Sequence, residues 1–158
     1  MKIKTKLGMF DVEFSERGVK SLHFGSRGQE TNPTGRSRRS ATLQRQLRQY
    51  ASGKNVRWSV PLDLSAGTAF QQAVWRALCR IPYGETRSYA WVAQQIKRPR
   101  ATRAVGAACG ANPVPVIVPC HRVIASNGSL GGFSCGLAWK KRLLGLEKSA
   151  MLSPHPRR

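Results

Sequence analysis

The spacing of the apolar residues changes once along the chain, and this change constrains the fold more than any other feature. Residues 1–25 alternate between apolar and polar positions, as half-buried antiparallel strands do. Beyond residue 67 the apolar residues recur every three or four positions, as in amphipathic helices. We therefore predict an α+β chain with an N-terminal α/β domain at 1–64, a mainly helical C-terminal domain at 65–150 and a flexible tail at 151–158.

The N-terminal pattern predicts a small antiparallel meander over residues 1–25. Residues 26–40 carry Gly, Pro, Ser and Arg without periodicity and are predicted to form a loop. A helix is predicted over 43–50 and a further strand over 56–62, followed by a linker at 61–67.

Three short helices are predicted in the C-terminal region. The first carries apolar residues from Phe70 to Leu78, with Ser65 or Thr68 as its N-cap and Pro82 beyond its end. The second covers 89–96 and the third 101–108, joined by the basic connection 97–100. Two short helices joined by a tight turn predict a helix-turn-helix, although ordinary packing of two helices explains the pattern as well.

The charge of the chain is strongly positive. It has 27 Lys and Arg against 7 Asp and Glu, a formal net charge of +20 and an isoelectric point near 11.4. This imbalance favours a polyanionic partner, nucleic acid above all. No run approaches the ~18 apolar residues of a membrane span, and no signal peptide is evident. We therefore expect no membrane partner, a monomer, and a location in the cytoplasm, or in the nucleus of a eukaryote.

Arg103 is isolated on the third predicted helix. It projects away from the expected apolar stripe of Ala101, Ala104, Val105 and Ala108. Its neighbours on the exposed side are the small residues Gly106, Ala107 and Gly110. A bare helix surface with one arginine suits close approach to a DNA groove. The alternative is a helix packed within the protein, with Arg103 paired.

A cysteine and a histidine are adjacent in the sequence VPCHRVI, residues 118–124. They can be a metal-ligand pair, a buried thiol beside a surface imidazole, or a nucleophile next to its base. The four cysteines, Cys79, Cys109, Cys120 and Cys135, match no common zinc spacing, so we expect reduced thiols and neither a metal nor a cofactor. Prolines 113, 115 and 119 predict a rigid, irregular segment before the thiol. We expect the imidazole and the basic surroundings to lower the pKa of Cys120.

Glu147 is the first acid after Glu85, and it closes a strongly basic stretch. On a helix predicted over 136–146, the apolar residues Leu137, Trp139, Leu143, Leu144 and Leu146 cover one broad face that also includes position 147. A carboxylate on the core side of a helix requires a partner. The partner is either Lys140, in an ordinary ion pair, or His121, in a Cys120–His121–Glu147 relay.

These residues together resemble the O6-alkylguanine-DNA alkyltransferases. The resemblance rests on PCHRV, on GGFSCGLAWKKRLLGLE, and on the upstream stretches FQQAVWRALCRIPYGETRSYAWVA and RAVGAACGANPVP, with a looser match before residue 67. It implies a ribonuclease H-like N-terminal sheet with a helix and a winged helix-turn-helix in the C-terminal domain. It also implies a suicide DNA-repair methyltransferase that moves an alkyl group irreversibly from O6-alkylguanine, or more weakly O4-alkylthymine, to Cys120.

The resemblance further implies a role for each matching residue. His121 would deprotonate Cys120 through a water, Glu147 would orient His121, Asn112 would shape the active-site loop, and Tyr89 would donate a proton to the departing guanine. Arg103 would replace the flipped base in double-stranded alkylated DNA, entered from the minor groove. Further DNA contacts would come from Arg100, Thr102, Gly106, Ala107, Gly110 and Arg122. The substrate pocket would comprise Pro115, Val123, Gly131, Phe133, Ser134 and Cys135, the last at a position where glycine is common in the family.

Two other functions remain open at this point. A non-catalytic relative would bind alkylated DNA and recruit other factors, but the cysteine at position 120 counts against it. A cysteine hydrolase that uses Cys120 and His121 would have to work without any sign of an acyl-substrate pocket.

Overall fold

The computed structural model describes residues 1–25, 27–31, 37–131 and 135–152. The chain divides into two compact units. Unit 1 comprises Met1–Ala66 with Pro113–Pro115, and unit 2 comprises Gly67–Asn112 with Val116–Arg158. The predicted α+β class is confirmed, because helices and a small antiparallel sheet both occur within the described ranges.

Unit 1 is a three-stranded antiparallel sheet with one helix. Strands β1 (Lys2–Thr5), β2 (Gly8–Phe14) and β3 (Val19–Phe24) pair in sequence order, which confirms the meander. The register places Ile3 opposite Phe10 and Val12 opposite Leu22, and all four side chains are buried. Helix α1 (Arg38–Ala51) buries its apolar face and contacts β1. This burial removes apolar surface of the sheet and the helix from water and stabilises unit 1.

Two predictions in unit 1 are wrong. Helix α1 begins at Arg38, inside the predicted loop, because the Ser37 hydroxyl accepts a hydrogen bond from the Ser40 N–H and caps the helix. Residues 56–62 do not form a strand, and their only bridge pairs Leu62 with Val19. The Gln46 side chain instead bonds to the backbone of this segment, at the carbonyl of Arg57 (2.9 Å) and the N–H of Ser59 (3.3 Å).

Unit 2 is built around three short helices. Helix α2 (Ala69–Leu78) begins with a capping box of Thr68 and Gln71, so Thr68 rather than Ser65 is the N-cap. Helices α3 (Tyr89–Gln95) and α4 (Thr102–Gly110) follow, and both pack against α2. Two-residue strands β4 (Arg87–Ser88) and β5 (Val123–Ile124) pair in parallel, and α5 (Leu137–Leu152) ends the described chain. Within the described ranges, no helix is both long and apolar enough to cross a bilayer.

The buried faces of α4 and α5 differ from the predicted ones. Helix α4 buries Val105, Ala108 and Cys109, whereas Ala104 is exposed and Ala101 is half-buried. Helix α5 buries Lys140, Leu143 and Glu147. It extends beyond 146 to Leu152, so residues 151 and 152 belong to the helix and not to a tail, and 153–158 lie outside the described residues.

Candidate active site

Cys120 lies at the start of a single 3₁₀ turn, Cys120–Arg122, and its side chain is buried. The preceding segment lies outside regular elements, as the prolines predict. The Cys120 N–H donates to the carbonyl of Val118 (2.8 Å), and the Asn112 amide donates to the same carbonyl (2.8 Å). Asn112 thereby ties the end of α4 to the backbone that carries the thiol.

Val116, four residues before the thiol, has an unusual backbone conformation. Its φ is +76°, a region that β-branched residues rarely adopt, and its side chain is fully buried. Such strain persists only where the surrounding structure holds it, and it occurs most often at functional sites. The thiol therefore follows a segment that packing holds in a strained conformation.

His121 and Glu147 form a buried pair at the centre of the site. The Nε2 atom of His121 lies 2.7 Å from Oε1 of Glu147, and the two side chains are 0% and 1% exposed. The Gly84 N–H also donates to Oε2 of Glu147 (3.2 Å). The Nδ1 atom of His121 lies on the opposite side of the ring from this contact. The contact with His121, one of the two partners that the position of the lone acid allows, is present.

Arg122 is the second basic residue that contacts Glu147. Its Nε donates to both carboxylate oxygens (3.2 and 3.0 Å), its Nη2 to Oε1 (2.9 Å), and its Nη1 to the carbonyl of Ile81 (2.7 Å). The Arg122 guanidinium is therefore buried and held by Glu147 and Ile81, an arrangement that does not favour the predicted DNA contact of this residue. The signal for this in the sequence is that two basic residues, His121 and Arg122, follow Cys120, while Glu147 is the one acid between residues 86 and 158.

Burial and pairing set the charges of this cluster. Burial alone raises the pKa of Glu147, but hydrogen bonds from His121 and Arg122 outweigh it and hold the pKa at about 2. Burial lowers the pKa of His121 below its usual value, against the opposing effect of Glu147. At neutral pH the cluster thus holds a carboxylate and a neutral imidazole that is able to accept a proton.

The Cys120 thiol is protonated at neutral pH. Burial raises its pKa to about 11, although a hydrogen bond from Asn112 and the charge of Lys140 act in the opposite direction. The prediction of a lowered thiol pKa is therefore wrong, because desolvation outweighs the nearby positive charge. The thiol depends on a base to become a nucleophile.

Lys140, which the sequence offered as a possible ion-pair partner of Glu147, is fully buried beside the site. Its Nζ donates to the carbonyl of Val123 (2.6 Å) and lies 5.9 Å from the centre of the Tyr89 ring. Burial lowers the pKa of Lys140, and the nearby thiols of Cys120 and Cys109 oppose this. In the sequence, the spacing of Lys140, Leu143 and Glu147 indicates that all three lie on one face of the helix, and this is the feature that points to a buried Lys140.

The predicted pocket residues fall into three groups. Tyr89 is half-buried, and a Cβ atom at Gly131 would lie 2.8 Å from its hydroxyl oxygen, so only glycine fits there without a shift. Val123 is buried, Cys135 is half-buried, and Pro115 is buried within unit 1. Phe133 and Ser134 lie outside the described residues.

The outer surface of α4 is basic and nearly free of bulky side chains. Arg100, Thr102, Arg103, Ala107 and Gly110 are exposed, and Gly106 is half-buried. A Cβ atom at Gly110 would meet nothing within 4 Å. Within the described part of the chain, Arg103 makes no hydrogen bond or ion pair, unlike the paired arginine expected of a helix packed inside the protein. Among these residues there is also no cluster of three or more His, Cys, Asp or Glu that would hold a metal.

A buried cysteine adjacent in sequence to a histidine that a buried carboxylate holds, in a very basic α+β chain, is an arrangement that suits a nucleophilic cysteine site. The family model described as the DNA-binding domain of 6-O-methylguanine DNA methyltransferase matches residues 69–149, just over half of the chain. The chain therefore belongs to the O6-methylguanine-DNA methyltransferase family.

Individual relatives are similar over most of the chain. An inducible methylated-DNA--protein-cysteine methyltransferase of Bacillus subtilis is 56% identical over 105 residues, 66% of this chain and 58% of that protein. A Mycobacterium tuberculosis protein of the same name is 56% identical over 66% of this chain and 62% of its own length. The matched region thus spans less than two thirds of either relative.

Solved structures are similar over a larger share of the chain. The crystal structure of Mycobacterium tuberculosis OGT in complex with DNA superimposes with a TM-score of 0.82 at 41% identity, covering 94% of this chain and 92% of that one. The O6-methylguanine-DNA methyltransferase of Pyrococcus kodakaraensis superimposes with a TM-score of 0.60 at 25% identity, covering 88% and 90%.

Proposed function

We propose that this protein repairs DNA by moving the alkyl group of O6-alkylguanine, and more weakly that of O4-alkylthymine, to Cys120. The observation that carries this proposal is a buried thiol whose neighbour in sequence is a neutral histidine held by Glu147. A thioether has no ready leaving group, so the transfer is irreversible and each molecule acts once. No metal or cofactor takes part.

In the proposed transfer, the proton that leaves Cys120 has an acceptor and the departing guanine has a proton donor. The Nδ1 atom of His121 accepts the proton of Cys120 through a water, while Glu147 holds the Nε2–H and thereby fixes the tautomer. The thiolate attacks the alkyl carbon, so an S–C bond forms as the bond from carbon to O6 breaks. Tyr89 donates its hydroxyl proton to the departing guanine and recovers a proton from the imidazolium through solvent. Burial raises the pKa of Tyr89, which keeps this donor protonated.

The DNA interface of this proposal is α4. Helices α3 and α4 act as a helix-turn-helix with the β4–β5 pair as its wing, and unit 1 is a small sheet of the ribonuclease H-like kind. The partner is double-stranded alkylated DNA, bound by a monomer. Arg103 inserts into the stack in place of the flipped nucleotide, and Arg100, Thr102, Gly106, Ala107 and Gly110 line the approach to the groove. Val123, Gly131 and Cys135 of unit 2 contact the alkyl group.

Replacing Arg103 by alanine tests this function on DNA. We expect the rate of methyl transfer from O6-methylguanine in a duplex to fall about 10- to 100-fold, because unstacking a base costs a few kcal/mol. Benzyl transfer from free O6-benzylguanine, which needs no base flipping, is expected to be unchanged. Absence of any transfer by the wild type would contradict the function, and equal losses on both substrates would contradict the role of Arg103.

A further inference from the structure

A groove of about 330 Å³ runs along α1 in unit 1, and none of the residues proposed for alkyl transfer lies in it. Its lining consists of polar and cationic side chains and one alanine: Ala41, Gln44, Arg45, Arg48, Gln49, Ser52 and Lys54. None of the lining residues is acidic, although the Glu30 carboxylate accepts hydrogen bonds from Gln44 (2.9 Å) and Arg48 at one wall. Arginine, lysine, amide and hydroxyl groups all donate hydrogen bonds, so the groove suits a ligand rich in anionic acceptors.

The three cationic side chains of the groove, Arg45, Arg48 and Lys54, differ in whether they have a hydrogen-bond partner within the described residues. Arg48 donates to Oε1 of Glu30 (2.5 Å) and to the carbonyl of Lys4 (3.2 Å), which fixes one wall. Arg45 and Lys54 are exposed, and neither forms an ion pair or a hydrogen bond through its side chain within the described residues. Two positive charges therefore remain available to a ligand.

The charge of the chain favours one class of ligand. Residues 1–66 carry 13 Lys and Arg against 5 Asp and Glu, so unit 1 is basic by itself. A second copy of this chain is disfavoured as the occupant, because its formal charge of +20 would repel the groove. A polymer of closely spaced phosphates satisfies several donors at once and releases condensed counterions.

We propose that this groove binds the phosphodiester backbone of DNA, as a second contact in addition to α4. This inference depends on the proposed function in one respect, since both assume that the protein binds DNA. Contacts of this kind add affinity without sequence preference, which suits a protein that must examine DNA of any sequence.

The test is the salt dependence of binding to an undamaged duplex by a double variant, Arg45→Gln with Lys54→Gln. Each phosphate contact contributes about 0.9 to the slope of log K against log salt, so we expect the slope to fall by about 1.8. The Kd near physiological salt is expected to rise about 10-fold. The matched control is Lys6→Gln with Arg17→Gln, which removes the same charge from exposed positions of unit 1 outside the groove.

A clear fall in slope for the groove variant with little change in the control supports the inference. The inference is overturned if the salt slope falls equally in both variants or does not fall in the groove variant. It is also overturned if the groove variant loses binding to phosphatidylserine vesicles but keeps its binding to DNA. Benzyl transfer from free O6-benzylguanine is measured on the same samples. A wild type without transfer contradicts the proposed function, whereas the groove is judged by DNA binding alone.

Discussion

Replacing Glu147 by glutamine is expected to lower the free energy of unfolding by about 3–5 kcal/mol, the usual cost of removing one partner from a buried ion pair. The carboxylate is 1% exposed and receives hydrogen bonds from Arg122, His121 and the Gly84 N–H. A neutral amide leaves the charge of Arg122 buried without an anion. Chemical denaturation of both proteins at neutral pH measures the difference.

The control for this change is Glu85→Gln, which breaks the exposed Glu85–Arg87 pair (3.1 Å). Exposed pairs contribute roughly 0.2–1 kcal/mol, so this variant is expected to unfold almost as the wild type does. Because the folded-state pKa of Glu147 is lowered to about 2, its contribution is complete above its ordinary pKa of 4.5 and is lost as the pH falls towards 2. Equal destabilisation of the two variants would show that the buried cluster does not stabilise the fold.

Replacing His121 by glutamine is expected to slow alkyl transfer about 10²- to 10⁴-fold at neutral pH, the usual effect of removing a general base. Because burial raises the pKa of Cys120 to about 11, the variant contains very little thiolate near pH 7. Its transfer rate should therefore rise about tenfold per pH unit as the pH increases towards 11. Stopped-time assays with free O6-benzylguanine across this range measure the profile.

His23→Gln, in an exposed position of β3, is the matched control and is expected to retain the wild-type rate. Recovery at high pH separates the loss of a base from the loss of a folded site, because a disrupted pocket would remain slow at every pH. A variant that transfers at the wild-type rate near pH 7 would exclude His121 as the base.

Features that depend on local periodicity or on a single unusual residue could be predicted from the sequence. The alternation in residues 1–25 predicts the meander, because pairing antiparallel strands buries one face. An acid on a buried helix face, in a region with no other acid, predicts that Glu147 is paired, with Lys140 or His121 as its partner, and the structure places it on His121. The meander and the need of Glu147 for a partner follow from local pattern, whereas the choice of His121 as that partner depends on tertiary packing.

Features that depend on tertiary burial could not be predicted in this way. The raised pKa of Cys120 results from desolvation by residues far along the chain, and the buried position of Arg122 depends on the direction of a 3₁₀ turn. Residues 56–62 of the described chain do not form a strand. The Gln46 side chain bonds to backbone groups of this segment with which a neighbouring strand would otherwise pair. Sequence spacing carries no information about such long-range partners.

Localisation of the transferred methyl group tests the central claim most directly. The protein is incubated with an excess of duplex DNA that contains O6-methylguanine, and the intact protein and its peptides are then weighed by mass spectrometry. We predict a gain of one methyl group per chain, located on Cys120, and no gain in Cys120→Ser. A methyl group on Cys79, Cys109 or Cys135, more than one methyl per chain, or repair without any gain in mass would contradict the account.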